Sequence, residues 1–239
     1  MSSIFQSEKK QADFEKFKEE IINIYSNSQP DKSICDLPEF KKLHSLIYSI
    51  ALIQIKVSNN ETLICKYVFL KEIQSDLLLL LTHSLFGFYN TSMIIYRRVI
   101  ENFYNHIFYY NHEIEFIHLN NGRNEYTPII ELKNYLTTYP VFTSSDKLIK
   151  EYNDYIFTEY TELNKFVHTK GINFMGLAKS LKELKKNINH KEMFNQINET
   201  AYRMIYILYK FHTTIKLKNV ELKLITDCIP RDKRTSLTE

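Results

Sequence analysis

The segment Gly87 to His112, GFYNTSMIIYRRVIENFYNHIFYYNH, decides the fold class. Projected at about 100° per residue, it sorts into two faces from Thr91 onward. Tyr96, Val99, Ile100, Phe103, Ile107 and Tyr110 share one face, and Arg98, Glu101, Asn102, Asn105 and His106 share the other. A strand would scatter these residues over both faces, so the pattern predicts a helix. The polar face, flanked by Ile94, Ile95 and Tyr109, is not a simple lysine-and-glutamate solvent face.

A second stretch, Tyr152 to His168 (YNDYIFTEYTELNKFVH), repeats the arrangement. Thr161, Asn164, Lys165 and His168 align, with Phe157 one turn earlier. Leu148, Ile149, Tyr152, Ile156, Leu163 and Phe166 lie opposite. Ser145 or Asp146 is placed to cap this helix, and Thr169 to Gly171 closes it.

Outward from these two segments the chain reads as further helices. Gly87 and Asn90 mark a break, and Asn90 or Thr91 can cap the helix that follows. Thr62 to Phe88 is apolar almost all round, which predicts the central helix of a bundle. Ser7 to Tyr25 sets Phe14, Phe17, Ile21 and Ile24 on one face, and a polar turn with Pro30 ends it. Pro38 opens a helix to about Val57, followed by a loop at Ser58 to Glu61. Asn120 to Thr127 reads as a connection, and a short helix fits between Pro128 and Pro140. Leu177 to Ile188 is basic on one side, Lys191 to Leu217 is amphipathic, and Val220 to Ile229 adds a last segment. The expectation is an all-α, up-and-down bundle forming one domain over residues 1–230, with a charged, frayed tail at 231–239.

Composition agrees. Of 239 residues, 4 are Gly and 5 are Pro, too few for a fold of hairpins or for a phosphate-cradling glycine loop. No G-x-S-x-G, Walker or dinucleotide glycine pattern occurs. A net charge of +3 does not by itself argue for nucleic acid. Cys35, Cys65 and Cys228 are odd in number and widely spaced, which predicts a reducing interior without disulfides. The N-x-[ST] triplets at Asn60, Asn90 and Asn198 then carry no glycan. The N-terminus lacks an apolar h-region, and the run Leu77 to Phe88 is broken by Thr82, His83 and Ser84. It falls short of the roughly 20 residues that span a bilayer, so a soluble, cytoplasmic protein without a membrane partner is expected.

The two polar stripes admit two readings. Arg98 and Glu101 are three apart and can pair along one helix, or the stripes can meet and satisfy each other. Alternatively Arg, Asn and His converge on a cleft, where a guanidinium holds a phosphate and an imidazole moves a proton near neutral pH. Those are the tools of metal-free RNA cleavage, in which the 2′-hydroxyl attacks its own phosphate. His112 to His118 lacks the i, i+4 histidine pair of a helical zinc motif, and no metal or other cofactor is expected. His44, His83, His190 and His212 sit in apolar patterns and read as core histidines. The lysine face with Lys182, Lys185 and Lys186 reads as solvated or as an RNA phosphate-tracking surface.

After the glycine and small-residue turn come Arg97 (with Arg98 beside it), Ile100, Glu101 and Asn102, and later Tyr160, Leu163, Asn164, Phe166, Val167 and His168. Together these resemble the HEPN-like helical proteins of prokaryotic abortive-infection and antiphage loci, over about Leu77 to Gly171. The resemblance implies an up-and-down bundle, a homodimer and, in active members, a metal-independent endoribonuclease site of Arg, a polar residue and His in an R-x(4–6)-H pattern. This chain departs from that pattern, since Arg98 lies eight residues before His106 and Arg97 nine. Asn102 and Asn164 each stand four positions before a His with no Arg in front, so a site would have to be assembled between helices. On this resemblance Arg98 holds the phosphate, His168 or His106 moves the proton, Asn102 and Asn164 orient them, and Glu101 and Tyr160 support the set. The implied partners are RNA, a second copy of the chain, and an antitoxin or another component of a defence complex. The alternative is a non-catalytic helical interaction subunit whose stripes fix partner or dimer register.

Overall fold

The computed structural model describes residues 2–24, 30–122, 127–140, 142, 147–167 and 189–234. In chain order the helices are α1 (Ser2–Ile24), α2 (Lys32–Asp36), α3 (Pro38–Asn60), α4 (Val68–Leu85), α5 (Tyr89–Tyr109), α6 (Glu113–Asn120), α7 (Ile129–Thr138), α8 (Lys147–Val167), α9 (His190–Phe211) and α10 (Asn219–Asp227). Short 3₁₀ turns occupy Ile64–Lys66 and Arg231–Lys233, and no strand occurs among the described residues. The all-α class expected from the sequence is what the chain adopts.

The helix at the centre is α5, where the sequence pattern had pointed to the stretch before it. The segment from Thr62 enters through the 3₁₀ turn, and α4 begins only at Val68. Helix α4 then exposes Lys71, Glu72, Ser75 and Leu79 along one side. Helix α5 packs lengthwise on α4, α7 and α8 and touches α6 and α9. Its buried set includes Met93, Tyr96, Ile100, Phe103, Tyr104 and Ile107. A helix covered by so many neighbours buries residues on most of its circumference, so its polar side chains must find partners inside the protein.

The α4–α5 turn explains a second correction. Gly87 has φ 74°, the left-handed conformation that glycine adopts without a Cβ penalty. The Phe88 amide donates to the His83 carbonyl and the Gly87 amide to the Ser84 carbonyl, a Schellman closure of α4. The turn is so tight that Phe88 is already the N-cap of α5, without a side-chain cap bond. Asn90 and Thr91 therefore lie within the helix and do not cap it. Ser84 Oγ and Ser92 Oγ, 3.3 Å apart, mark where the two helices approach.

Helix α3 packs on α9 through Phe40 and Phe194, whose ring centroids are 5.4 Å apart and edge to face. Both are fully buried, each contributing about 1.5–3 kcal/mol by leaving water. Residues Ser58 to Asn60, read as a loop, continue α3, and α6 was not anticipated. Helix α6 buries none of its residues fully, and Phe116 ties it to Phe69 and Tyr109. The expected helix 177–188 and the capping residues Ser145 and Asp146 lie outside the described residues.

Candidate functional site

Arg97 and Arg98 are consecutive, so they leave α5 about 100° apart and meet different neighbours. Arg98 turns to α4. Its Nε donates to Asp76 Oδ2 at 2.8 Å and its Nη2 to Asp76 Oδ1, a two-pronged pair. Asn102 Nδ2 donates to the same carboxylate, 3.1 Å from Oδ2. Asp76 is 1% exposed, whereas the Arg98 side chain is 52% exposed. The ion pair is thus buried at its acidic end and wet at its basic end. Asp76 raises the Arg98 pKa further through hydrogen bonding and charge.

Arg97 turns to α8. Its Nε donates to Asn164 Oδ1 at 2.6 Å, and its Nη2 lies 2.7 Å from Glu101 Oε1 one turn along α5. Tyr160 completes the set. Its hydroxyl donates to Glu101 Oε1 at 3.3 Å, and its ring lies under the Arg97 guanidinium at 5.5 Å. Arg97 Nη2 also reaches the Tyr160 hydroxyl at 3.4 Å. Four side chains from two helices, up to 67 positions apart in sequence, form one connected network. Among the described residues these contacts use the Nε and Nη2 atoms of Arg97. Its Nη1 makes no hydrogen bond or ion pair with them.

His106, proposed from the sequence to move a proton beside Arg98, is elsewhere. It is 0% exposed, and its Nε2 lies 2.8 Å from His212 Nε2 at the end of α9. Burial and the neighbouring His212 hold its pKa well below the usual imidazole range. Eight residues of helix also put it about 12 Å along the axis from Arg98. It cannot serve a phosphate held at Arg98, and we correct that assignment. Asn102 and Arg98 both donate to Asp76 in the α4–α5 seam. Asn164 goes to Arg97. His168, Lys182, Lys185 and Lys186 lie outside the described residues.

The residue that sequence reasoning missed is Asp76. A lone carboxylate beside the apolar run Leu77–Leu81 was the available signal, because an Asp in such a helix is rarely buried without a partner. Two more polar bridges support the α5–α8–α9 wall. Tyr96 Oη and Thr200 Oγ1 are 2.6 Å apart, and Tyr104 Oη donates to Asn153 Oδ1 at 2.9 Å. Glu159, next to Tyr160, accepts from Gln196 Nε2 at 2.6 Å, and burial raises its pKa despite that bond.

Among the described residues no group of three or more His, Cys, Asp or Glu side chains is placed to hold a metal ion. No helix among them is long and apolar enough to cross a membrane. Chemically, the Arg97 network offers a cation of fixed orientation, with a carboxylate, a phenol and an amide around it. Comparison with protein-family models, with curated proteins and with solved structures returned no match.

Proposed function

We propose that the chain is a HEPN-like endoribonuclease of a prokaryotic antiphage or toxin module, cleaving RNA without a metal, with Arg97 as the phosphate-holding residue. The observation that carries this reading is the Arg97–Glu101–Tyr160–Asn164 network. Four residues on which the resemblance rests, drawn from two helices far apart in sequence, meet within hydrogen-bonding distance. Asn164 and Glu101 fix the plane of the guanidinium, and the Nη1 edge is the one we assign to a non-bridging phosphate oxygen.

The reaction needs a base to take the proton from the ribose 2′-hydroxyl and an acid to protonate the departing 5′-oxygen. His168, four positions after Asn164 in the sequence, is the residue we assign to that transfer. The attack forms a bond from the 2′-oxygen to phosphorus and breaks the bond to the 5′-oxygen. The products are a 2′,3′-cyclic phosphate and a 5′-hydroxyl. Arg97 counters the charge that gathers on the phosphorane oxygens. A homodimer and a defence-complex partner belong to the same proposal.

The test is purified protein incubated with single-stranded RNA in EDTA, with analysis of the new ends. The proposal expects 2′,3′-cyclic phosphate ends from wild type and none from Arg97→Ala or His168→Ala. Intact RNA with wild type, or undiminished cleavage by both variants, overturns it. A second reading, a non-catalytic interaction subunit, is favoured by one observation. Asp76 and Glu101 already engage both guanidiniums, as in a purely structural seam. On that reading the same variants change assembly, measured by sedimentation, while RNA stays intact throughout.

A further inference from the structure

Away from the Arg97 network, two imidazoles meet nitrogen to nitrogen in the interior, their planes tilted by 41°. His106 comes from the last turn of α5, and His212 follows the last residue of α9. Their Nε2 atoms are 2.8 Å apart and their ring centroids 5.0 Å apart. They are 0% and 3% exposed. Tyr110 and Phe211 stand edge-on to both rings. Tyr139, after α7, and Phe142 close over Phe211.

The charged and titratable groups facing this cluster come from each neighbouring element. Lys66, from the 3₁₀ turn, lies over the Tyr110 ring at 4.2 Å and disfavours a second positive charge at His212. Glu61, just after α3, is occupied as the acceptor of the Tyr110 hydroxyl. After α7 the Tyr139 ring packs on Phe211, while its hydroxyl accepts from Asn111 Nδ2 at 2.8 Å. Among the described residues no carboxylate contacts either imidazole.

Two nitrogens at this distance share one proton, so one donates and the other accepts. His106 Nδ1 has no hydrogen-bond partner among the described residues. A proton there would be an unpaired buried donor, so His106 is the Nε2–H donor and His212 the acceptor. A further proton has no acceptable position. On His212 Nε2 it sets two donors against each other, in the field of Lys66, and on His106 Nδ1 it creates a sealed cation with no acceptor among the described residues.

We infer that the His106–His212 pair is an acid-sensitive latch, which holds the end of α9 to α5 while neutral and releases it on protonation. The released segment is the end of α9 and the chain after it, residues 206–218. It borders a cleft of about 600 Å³ lined by Lys56, Asn59, Asn60, Glu61, Thr214 and Lys216. Burial lowers the pKa of both histidines, His212 to about 3. Groups depressed in the closed state leave the latch at full strength above an open-state value of about 6.5. Below that pH the open form takes up two protons that the closed form refuses. The opening equilibrium then rises by up to about a hundredfold per pH unit.

The test follows the full chain by NMR from pH 7.5 to 4.5, reading the histidine rings and the amide protection of residues 206–217 against that of α3. The local comparison matters because His44, His83 and His190 are also depressed by burial and act on global unfolding. The latch expects both imidazoles to stay neutral below pH 6 in the closed form. Protection of 206–217 should fall with the second power of proton concentration, while α3 stays protected. In the His106→Asn/His212→Asn variant that dependence should vanish. Either ring titrating near 6.5 with protection unchanged overturns the latch, and so does a double variant that keeps the second-power dependence. The wild-type titration decides the matter even if the variant does not fold.

Discussion

Removing one partner of the Asp76–Arg98 pair should cost very different amounts depending on which partner is removed. Arg98→Ala leaves a carboxylate that is 1% exposed with Asn102 as its remaining donor. Breaking a buried ion pair from one side costs about 3–5 kcal/mol. Arg98 is half in solvent, so water follows the deleted side chain, and about 2–3 kcal/mol is the expected loss. Asp76→Asn leaves a guanidinium that water can reach and keeps an oxygen for Asn102, so the expected loss is about 1–2 kcal/mol. For a chain of this size, about 2–4 °C of Tm per kcal/mol converts these to a drop of about 4–12 °C against about 2–8 °C. The double variant Asp76→Leu/Arg98→Met, apolar on both sides, should return to within about 1 kcal/mol of wild type. Thermal melts followed by circular dichroism at one fixed pH read all three. If Asp76→Asn costs more than Arg98→Ala, or if both cost less than about 0.5 kcal/mol, the buried-carboxylate argument is refuted.

Tyr104→Phe removes the donor to Asn153, which is 0% exposed, and should cost about 1–2 kcal/mol in urea unfolding, with no change in slope. Phe40→Ala opens a void between Phe14 and Phe194 and should cost about 3–5 kcal/mol by the same measurement. Global stability should fall as pH drops below about 6.5, because the unfolded chain protonates histidines that burial keeps neutral in the folded one. The urea midpoint should therefore be lower at pH 5.5 than at pH 7.5. An equal or higher midpoint contradicts the burial of these rings.

Periodicity made the α5 and α8 helices legible, because their apolar residues repeat at the helical interval and pack as the pattern requires. It did not apportion the polar arc of α5 among neighbours. That arc is wide, running from Arg97 and Glu101 on one flank through Arg98 and Asn102 to His106 on the other. Three partners each take a part of it, namely α8, α4 and the end of α9. A projection of one helix shows which residues are alike but not which neighbour each one meets. Arg97 sits at the edge of the stripe, so Arg98 looked like the better phosphate ligand until packing set Asp76 against it. The choice of central helix failed for a related reason. Leu79 is apolar yet exposed, so an all-round apolar sequence did not mean all-round burial. Capping at Asn90 or Thr91 failed because the Schellman turn at Gly87 left no room for a longer connection.

The most direct measurement of the central claim is the single-turnover RNA cleavage rate of Arg97→Lys beside that of Arg98→Lys, in EDTA, at a temperature where both remain folded. Lysine keeps the charge but loses the planar fork that Asn164 and Glu101 orient. The account predicts a loss of about a hundredfold or more for Arg97→Lys, and for Arg98→Lys a rate within about threefold of wild type. The reverse order, or equal rates for the two variants, would contradict it.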